Sequence, residues 1–380
     1  MSVEFIGFIS NQESSETRPA TGEIINKSWI KAIAHAHEYA RFDRALIAYS
    51  SSSPDALQLA AYAAHATTKL KLLIAHRPGF VAPTLAARSL ATLDQLSDGR
   101  VAVHIISGGN DAEQQRDGDF QDHDARYRRT DEYLDVVKLA WESNVPFDYQ
   151  GHFYQVKGGI SLVKSLQLPH VPVYFGGSSD IAIDIAGKHA NVYALWGEPL
   201  EAVRETIAKV RAAAARYGRA DQIKFSLSLR PILAETEDAA WARAQKILVE
   251  ARDARALPNG FTIKPVEQKE GQPQPQNVGS QRLLAAAKQG SVLDTRLWTE
   301  LAALTGAAGN STSLVGTAEQ VAESLIEYYK LGVTTFLIRG FDPINDALQY
   351  GRDLIPLVRA QVNELEQREQ AKSETSSSAA

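Results

Sequence analysis

The sequence predicts an α/β protein, a single (β/α)8 TIM barrel with an insertion, or lid, between its seventh and eighth strands. Three observations carry that expectation. Eight short apolar runs alternate, for the most part, with helical stretches. The runs are apolar throughout rather than alternating, as in a parallel sheet covered on both faces. Glycine, hydroxyl, aromatic and charged residues gather just after those runs, where a barrel of this kind carries its chemistry.

Val3 to Ile9 reads as the first strand and Lys27 to Phe42 as the helix after it, with Trp29, Ile33 and His37 at helical spacing. Arg44 to Tyr49 is the second strand, followed by Ser50–Ser53 and a helix opened by Pro54. Leu70 to His76 is the third strand, and a helix over 82–96 follows it. Asp98-Gly99 then turns the chain into Val101 to Ile106, which ends in Ser107-Gly108-Gly109-Asn110. A polar loop to about Arg129 precedes a helix over Thr130 to Glu142, and residues 147–156 suggest a small hairpin. Val171 to Phe175, Val192 to Leu195 and Lys224 to Leu233 are strands five to seven.

The insertion is expected to be mobile and to span residues 255–312, because Gly271–Gln276 has linker composition. Short helical pieces are expected at Gln281–Lys288 and Thr295–Leu304. Thr317-Ala318-Glu319-Gln320 is a capping box, Val333 to Arg339 the eighth strand and Pro343 to about Leu365 the last helix. The barrel is thus one domain over residues 1–366, and the Ser- and Ala-rich residues 367–380 are expected to be a disordered tail.

Composition excludes several classes. Of 380 residues, 44% are hydrophobic and 22% charged, ordinary for a large core. The formal net charge is −5, with no basic cluster to suit nucleic acid. No apolar run reaches membrane-spanning length and no signal peptide is evident, so cytoplasm is the expected location. Cysteine is absent, which removes disulfides, thiolate metal sites and a Cys nucleophile. The nine histidines show no metal-ligand spacing, so no metal is expected. Gly-x-Ser-x-Gly, Walker and Gly-x-Gly-x-x-Gly motifs do not occur where they would carry function.

Tyr174-Phe175-Gly176-Gly177-Ser178-Ser179 is the most informative stretch. A strand, a Gly-Gly turn and a helix start with two hydroxyls form a seat for phosphate. The same residues also read as a tight strand-to-helix turn. On strand seven, Phe225, Leu227 and Leu229 alternate with Ser226, Ser228 and Arg230, which aims the polar set into the barrel. Arg339 shares the inward parity on strand eight. Either Arg230 and Arg339 clamp an anion, or each pairs with a carboxylate such as Asp342 or Glu198. His76 is a candidate for proton transfer, or a packed histidine at a strand end.

Ala86-Ala87-Arg88, Thr92–Arg100, Arg126-Tyr127, Tyr174–Ser179 and Trp196-Gly197-Glu198 together resemble the bacterial-luciferase-like flavin monooxygenases, and most of all the FMN-dependent alkanesulfonate monooxygenases. The resemblance runs from the first strand to about residue 360. It implies a barrel enzyme that takes reduced FMN from a separate NAD(P)H-dependent flavin reductase. With oxygen as co-substrate, such an enzyme cleaves the carbon–sulfur bond of a small anionic sulfonate, giving an aldehyde and sulfite. It further implies that Gly177, Ser178 and Ser179 hold the FMN phosphate with Tyr127 in support. Ser107 and Gly108 would lie beside the flavin ring, Trp196 would border the substrate, and the insertion would close over both. A homo-oligomer, dimer or tetramer, is expected.

The substrate half departs from that pattern. Where the sulfonate enzymes carry an Arg and then a His on strand seven, this chain has Ser228 and then Arg230. Their Cys after strand two matches Ser53, and their Tyr and His after strand eight match Phe341 and Pro343. Their loop Arg falls among Thr305–Ala308, which hold none. The catalytic candidates are therefore Arg230, His76 and Trp196, and the substrate-binding candidates Arg230, Arg339, Trp196 and Ser228. An alkane- or sugar-sulfonate is the expected substrate. The alternatives are a deazaflavin-dependent oxidoreductase and a flavin-binding protein without turnover.

Overall fold

The computed structural model describes residues 3–256, 275–310 and 312–377. Eight parallel strands close a barrel: β1 (Glu4–Phe8), β2 (Arg44–Ile47), β3 (Lys71–His76), β4 (Val101–Ile105), β5 (Val173–Gly176), β6 (Val192–Trp196), β7 (Lys224–Leu229) and β8 (Val333–Ile338). Each pairs with its neighbours in chain order, and β8 closes on β1 through Phe5 opposite Phe336. Helices follow the strands and cover the outside, so residues on that side join the main core, among them Phe225, Leu227 and Leu229.

Inside the barrel, Ile6, Leu73, Ala102, Tyr174 and Val192 form a separate apolar plug with Leu46 and Leu337. Side-chain alternation places the next residues up each strand at the inner mouth. His104, Gly176, Ala194 and Trp196 stand there, and Ser228 faces both Trp196 and Leu337 in register. The expected inward parity of strand seven is therefore present.

Several boundaries differ from the sequence reading. The expected loop up to Arg129 contains a short helix, Asp111–Arg116, and the start of a long one, His123–Glu142. Asn110 and Asp122 accept hydrogen bonds from Glu113 N and Ala125 N, so both helices begin at capping side chains. Beyond β7, Ile232–Leu233 leaves the barrel and pairs with Ser313–Gly316 in a small four-stranded sheet. The described part of the insertion holds a helix, Val278–Gln289, two short strands, Val292–Leu293 and Leu297–Trp298, and a helix, Glu300–Leu304. Thr295 is not helical, with φ of +70°. The linker-like Gly271–Gln274 lies outside the described residues.

The last helix does not stop at Leu365. It passes through a π turn at Tyr350–Leu354 and continues to Ser377. Glu364 to Lys372 is rich in strong helix formers, and their intrinsic preference outweighs the absence of a buried face.

Candidate active site

A cavity of about 220 Å³ opens at the C-terminal mouth of the barrel. Its floor is His104, Ile106, Gly176 and Ala194, which the strand alternation aims inward. One wall is the β4 loop with Ser107 and Gly108, another the β5 turn with Gly177, Ser178 and Ser179, beside Tyr127 and Trp196. The roof is Asn277, Val278 and Gly279, from the insertion. Gln276 exchanges hydrogen bonds with Asp111, at 2.8 and 3.1 Å, which ties the insertion to the β4 loop.

The β5 turn has the form that an anion seat requires. Gly177 has φ of +144°, and a Cβ there would lie 2.6 Å from the Tyr127 hydroxyl. No other residue fits without moving that ring. Ser179 is the N-cap of helix Asp180–His189, yet its side chain makes no capping bond. Its Oγ is buried beside Tyr127 without a hydrogen bond of normal geometry. A buried hydroxyl without a protein partner at a helix N-terminus is free to donate to a bound anion. Burial pushes the Tyr127 phenol up to about 12, so it stays protonated and able to donate. The residues therefore fit the phosphate of a flavin mononucleotide.

On the opposite wall, Gly108 has φ of +89°, and a Cβ would strike the Gln114 side chain at 2.2 Å. Ser107 is buried and shares a 3.0 Å hydrogen bond with Thr130. His104 was not singled out by the sequence. Burial pushes it down to about 4, so it is neutral, and its Nδ1 has no partner among the described residues. Arg77 also lines the cavity, held by Glu113 at 2.7 Å and stacked on Tyr49.

The expected substrate cations are placed differently. Arg230 is 1% exposed, and its fork is bidentate to Glu16 at 2.7 and 2.8 Å. Its remaining donors reach the carbonyls of Arg339 and Gly340, both at 2.9 Å. Arg339 meets the same Glu16 carboxylate at 3.1 Å. The anion between the two arginines is therefore a side chain of the protein, and Arg230 is engaged by it rather than exposed to the cavity. Its carboxylate partner is neither Asp342, which holds Arg18 at 2.7 Å, nor Glu198, which holds Arg282 at 2.7 Å. Burial alone would raise the Glu16 carboxyl, but the charges of Arg230 and Arg339 and the Arg230 hydrogen bonds outweigh it. They hold the group well below the usual carboxylate range.

His76 is also not in the cavity. Its Nε2 meets the Tyr133 hydroxyl at 2.6 Å, and burial lowers it to about 4. It packs at the strand end against Tyr133, the structural alternative that the sequence left open. Ser228 faces into the barrel, but it lies beneath the Asn310 amide, which donates to its carbonyl, and does not line the cavity. Trp196 does line it, wedged against Gly279.

Residues 3–335 match the family model of luciferase-like monooxygenases, so the chain belongs to that family. Among solved structures it is similar to a riboflavin lyase holding modified FMN and riboflavin. That pair has 20% identity and a TM-score of 0.78, covering 95% of this chain and 92% of the other. It is similar to an EDTA monooxygenase from Chelativorans sp. BNC1, with 18% identity, a TM-score of 0.73 and coverage of 95% and 94%. An F420-dependent secondary alcohol dehydrogenase shares the fold at 18% identity and a TM-score of 0.68, with coverage of 94% and 99%.

Proposed function

We propose that this protein is a two-component monooxygenase that takes reduced FMN from a separate reductase and oxygenates an organosulfonate, alkane- or sugar-type, releasing an aldehyde and sulfite. The observation that supports the flavin reading best is the unmatched Ser179 hydroxyl at a helix start, beside a glycine whose Cβ would collide with Tyr127. When bound, FMN supplies the capacity to activate oxygen. The chain does the rest. Ser178, Ser179 and the Tyr127 hydroxyl donate to the phosphate, and Gly177 lets backbone approach it. Ser107 and Gly108 flank the ring, with neutral His104 below. Trp196 and the roof at Asn277–Gly279 keep water out. For the sulfonate, the supporting feature is the positive charge that Arg339 retains after Glu16 is shared between two arginines.

The test supplies an NAD(P)H flavin reductase and measures sulfite release over a panel of sulfonates. Release from at least one supports the reading, and none from any contradicts its substrate half. A deazaflavin-dependent oxidoreductase is the second reading, since an F420-dependent neighbour has the same fold. Titration with FMN and with F420, followed by fluorescence, separates the two.

A further inference from the structure

The seat at Gly177–Ser179 offers neutral donors, yet a phosphate monoester carries close to two negative charges at neutral pH. Its own helix adds to the imbalance, because Asp180 stands exposed in the first turn. With His104 neutral, two residues of the cavity wall can be cations, Arg77 and His123. Arg77 is engaged elsewhere. Its Nη2 holds Glu113 at 2.7 Å, and its Nη1 lies 3.8 Å from Asp117. The insertion brings no charge to the roof, which is Asn277, Val278 and Gly279. A positive charge at the seat therefore has to come from His123.

His123 is held in position for that role. It opens helix His123–Glu142, whose cap Asp122 accepts from Ala125 N at 2.7 Å. One turn further on is Tyr127, and the two rings meet with centroids 4.8 Å apart. Tyr127 is the residue whose hydroxyl crowds Gly177, so the imidazole flanks the seat. Its Nδ1 meets Asp124 Oδ1 at 2.8 Å, while Nε2 has no partner among the described residues. The Asp124 bond thus fixes which ring nitrogen is left for a ligand. Asp124 itself is 60% exposed, so solvent screens its charge. Arg126, on the same helix, is committed to Asp111 at 2.7 Å and to the Gln121 carbonyl at 2.6 Å.

We infer that His123, in its protonated form, is the counter-charge of the flavin phosphate, its Nε2–H donating beside the hydroxyls of Tyr127, Ser178 and Ser179. The inference rests on the flavin reading and adds a residue that sets the preference for a phosphorylated flavin over an unphosphorylated one. Hydroxyls alone give neutral hydrogen bonds; an imidazolium adds a charge-assisted one, about twice as strong. That contribution depends on pH, because histidine changes charge between about pH 5 and 8. It is present on the acid side of that range and lost on the alkaline side, where the phosphate keeps its full charge.

Fluorescence titration of the full chain with FMN and with riboflavin tests this, because the ratio of the two affinities isolates the phosphate. The ratio is measured at about pH 6.5 and about pH 9 in the wild type, His123→Gln and His123→Lys. The wild type is expected to prefer FMN at least tenfold at the lower pH and to lose at least fivefold of that preference at the higher one. His123→Gln should show the smaller preference at both, and His123→Lys, a cation throughout, the larger preference at both. Melting temperatures should match, since the His123 side chain is 39% exposed and leaves no cavity behind. A preference in His123→Gln equal to that of the wild type at the lower pH, or one that still falls with pH, would overturn the role of His123 and leave the hydroxyl seat standing. Equal binding of FMN and riboflavin by the wild type would overturn the seat itself. Binding of neither flavin would contradict the flavin reading.

Discussion

Arg230 makes four hydrogen bonds to Glu16 and two carbonyls from an almost fully buried position. Replacing it with Ala would leave Glu16 with Arg339 alone and the Arg339 and Gly340 carbonyls without their donor, a loss of about 3–5 kcal/mol for a broken buried pair. Denaturant unfolding of Arg230→Ala should show that loss, and FMN affinity of the folded fraction should stay within twofold. A large drop in flavin affinity with unchanged stability would contradict the assignment. The inward parity of Arg230 was legible in the alternation of strand seven. Its partner was not, since Glu16 sits 214 residues away in a polar loop with no periodic signal. Gly177 is the opposite case, because a Gly-Gly turn before a helix start announces itself. Gly177→Ala should weaken FMN binding at least tenfold, because the new methyl must displace the Tyr127 hydroxyl; wild-type affinity in that variant would refute the packing described.

Element boundaries were legible where capping chemistry marks them. The box at Thr317–Gln320 is present as read, with both reciprocal bonds. Asn110 and Asp122 carry the same signal, but polar residues after them disguise two helix starts as loop. The strand Ser313–Gly316 escaped notice because it is buried in a satellite sheet and has no alternation to reveal it. In the insertion, Asn277 caps helix Val278–Gln289 by accepting from Ser280 N, and it also packs over Gly109 at the cavity roof. Asn277→Ala should cost about 1 kcal/mol of local stability. It should also speed flavin dissociation in stopped-flow measurements; an unchanged off-rate would show that the roof does not retain the ligand.

At the scale of the whole molecule the barrel was the most legible feature, since eight apolar runs of strand length between helices admit few architectures. Which loops would meet over the mouth was hidden, because that follows from closure of the barrel rather than from local pattern. Burial also gives the molecule an acid-sensitive interior. His37, His76 and His104 are each lowered from about 6.5 to about 4 by desolvation. The fold favours their neutral forms, so their contribution is complete above pH about 6.5 and is lost as pH falls toward 4. Each costs up to about 1.4 kcal/mol per pH unit across that window. Melting temperature should therefore fall on acidification between pH 6.5 and 4, and a flat profile would contradict the burial of these rings.

The flavin reading depends most on the phosphate seat proposed at Gly177–Ser179. Anaerobic titration with reduced FMN, comparing wild type with the double variant Ser178→Ala, Ser179→Ala, measures it alone. Charge-assisted hydrogen bonds of about 1.5–3 kcal/mol each predict that the double variant loses a hundredfold or more in affinity while its melting temperature holds. Equal affinity of the two proteins for reduced FMN would place the phosphate elsewhere and contradict the site.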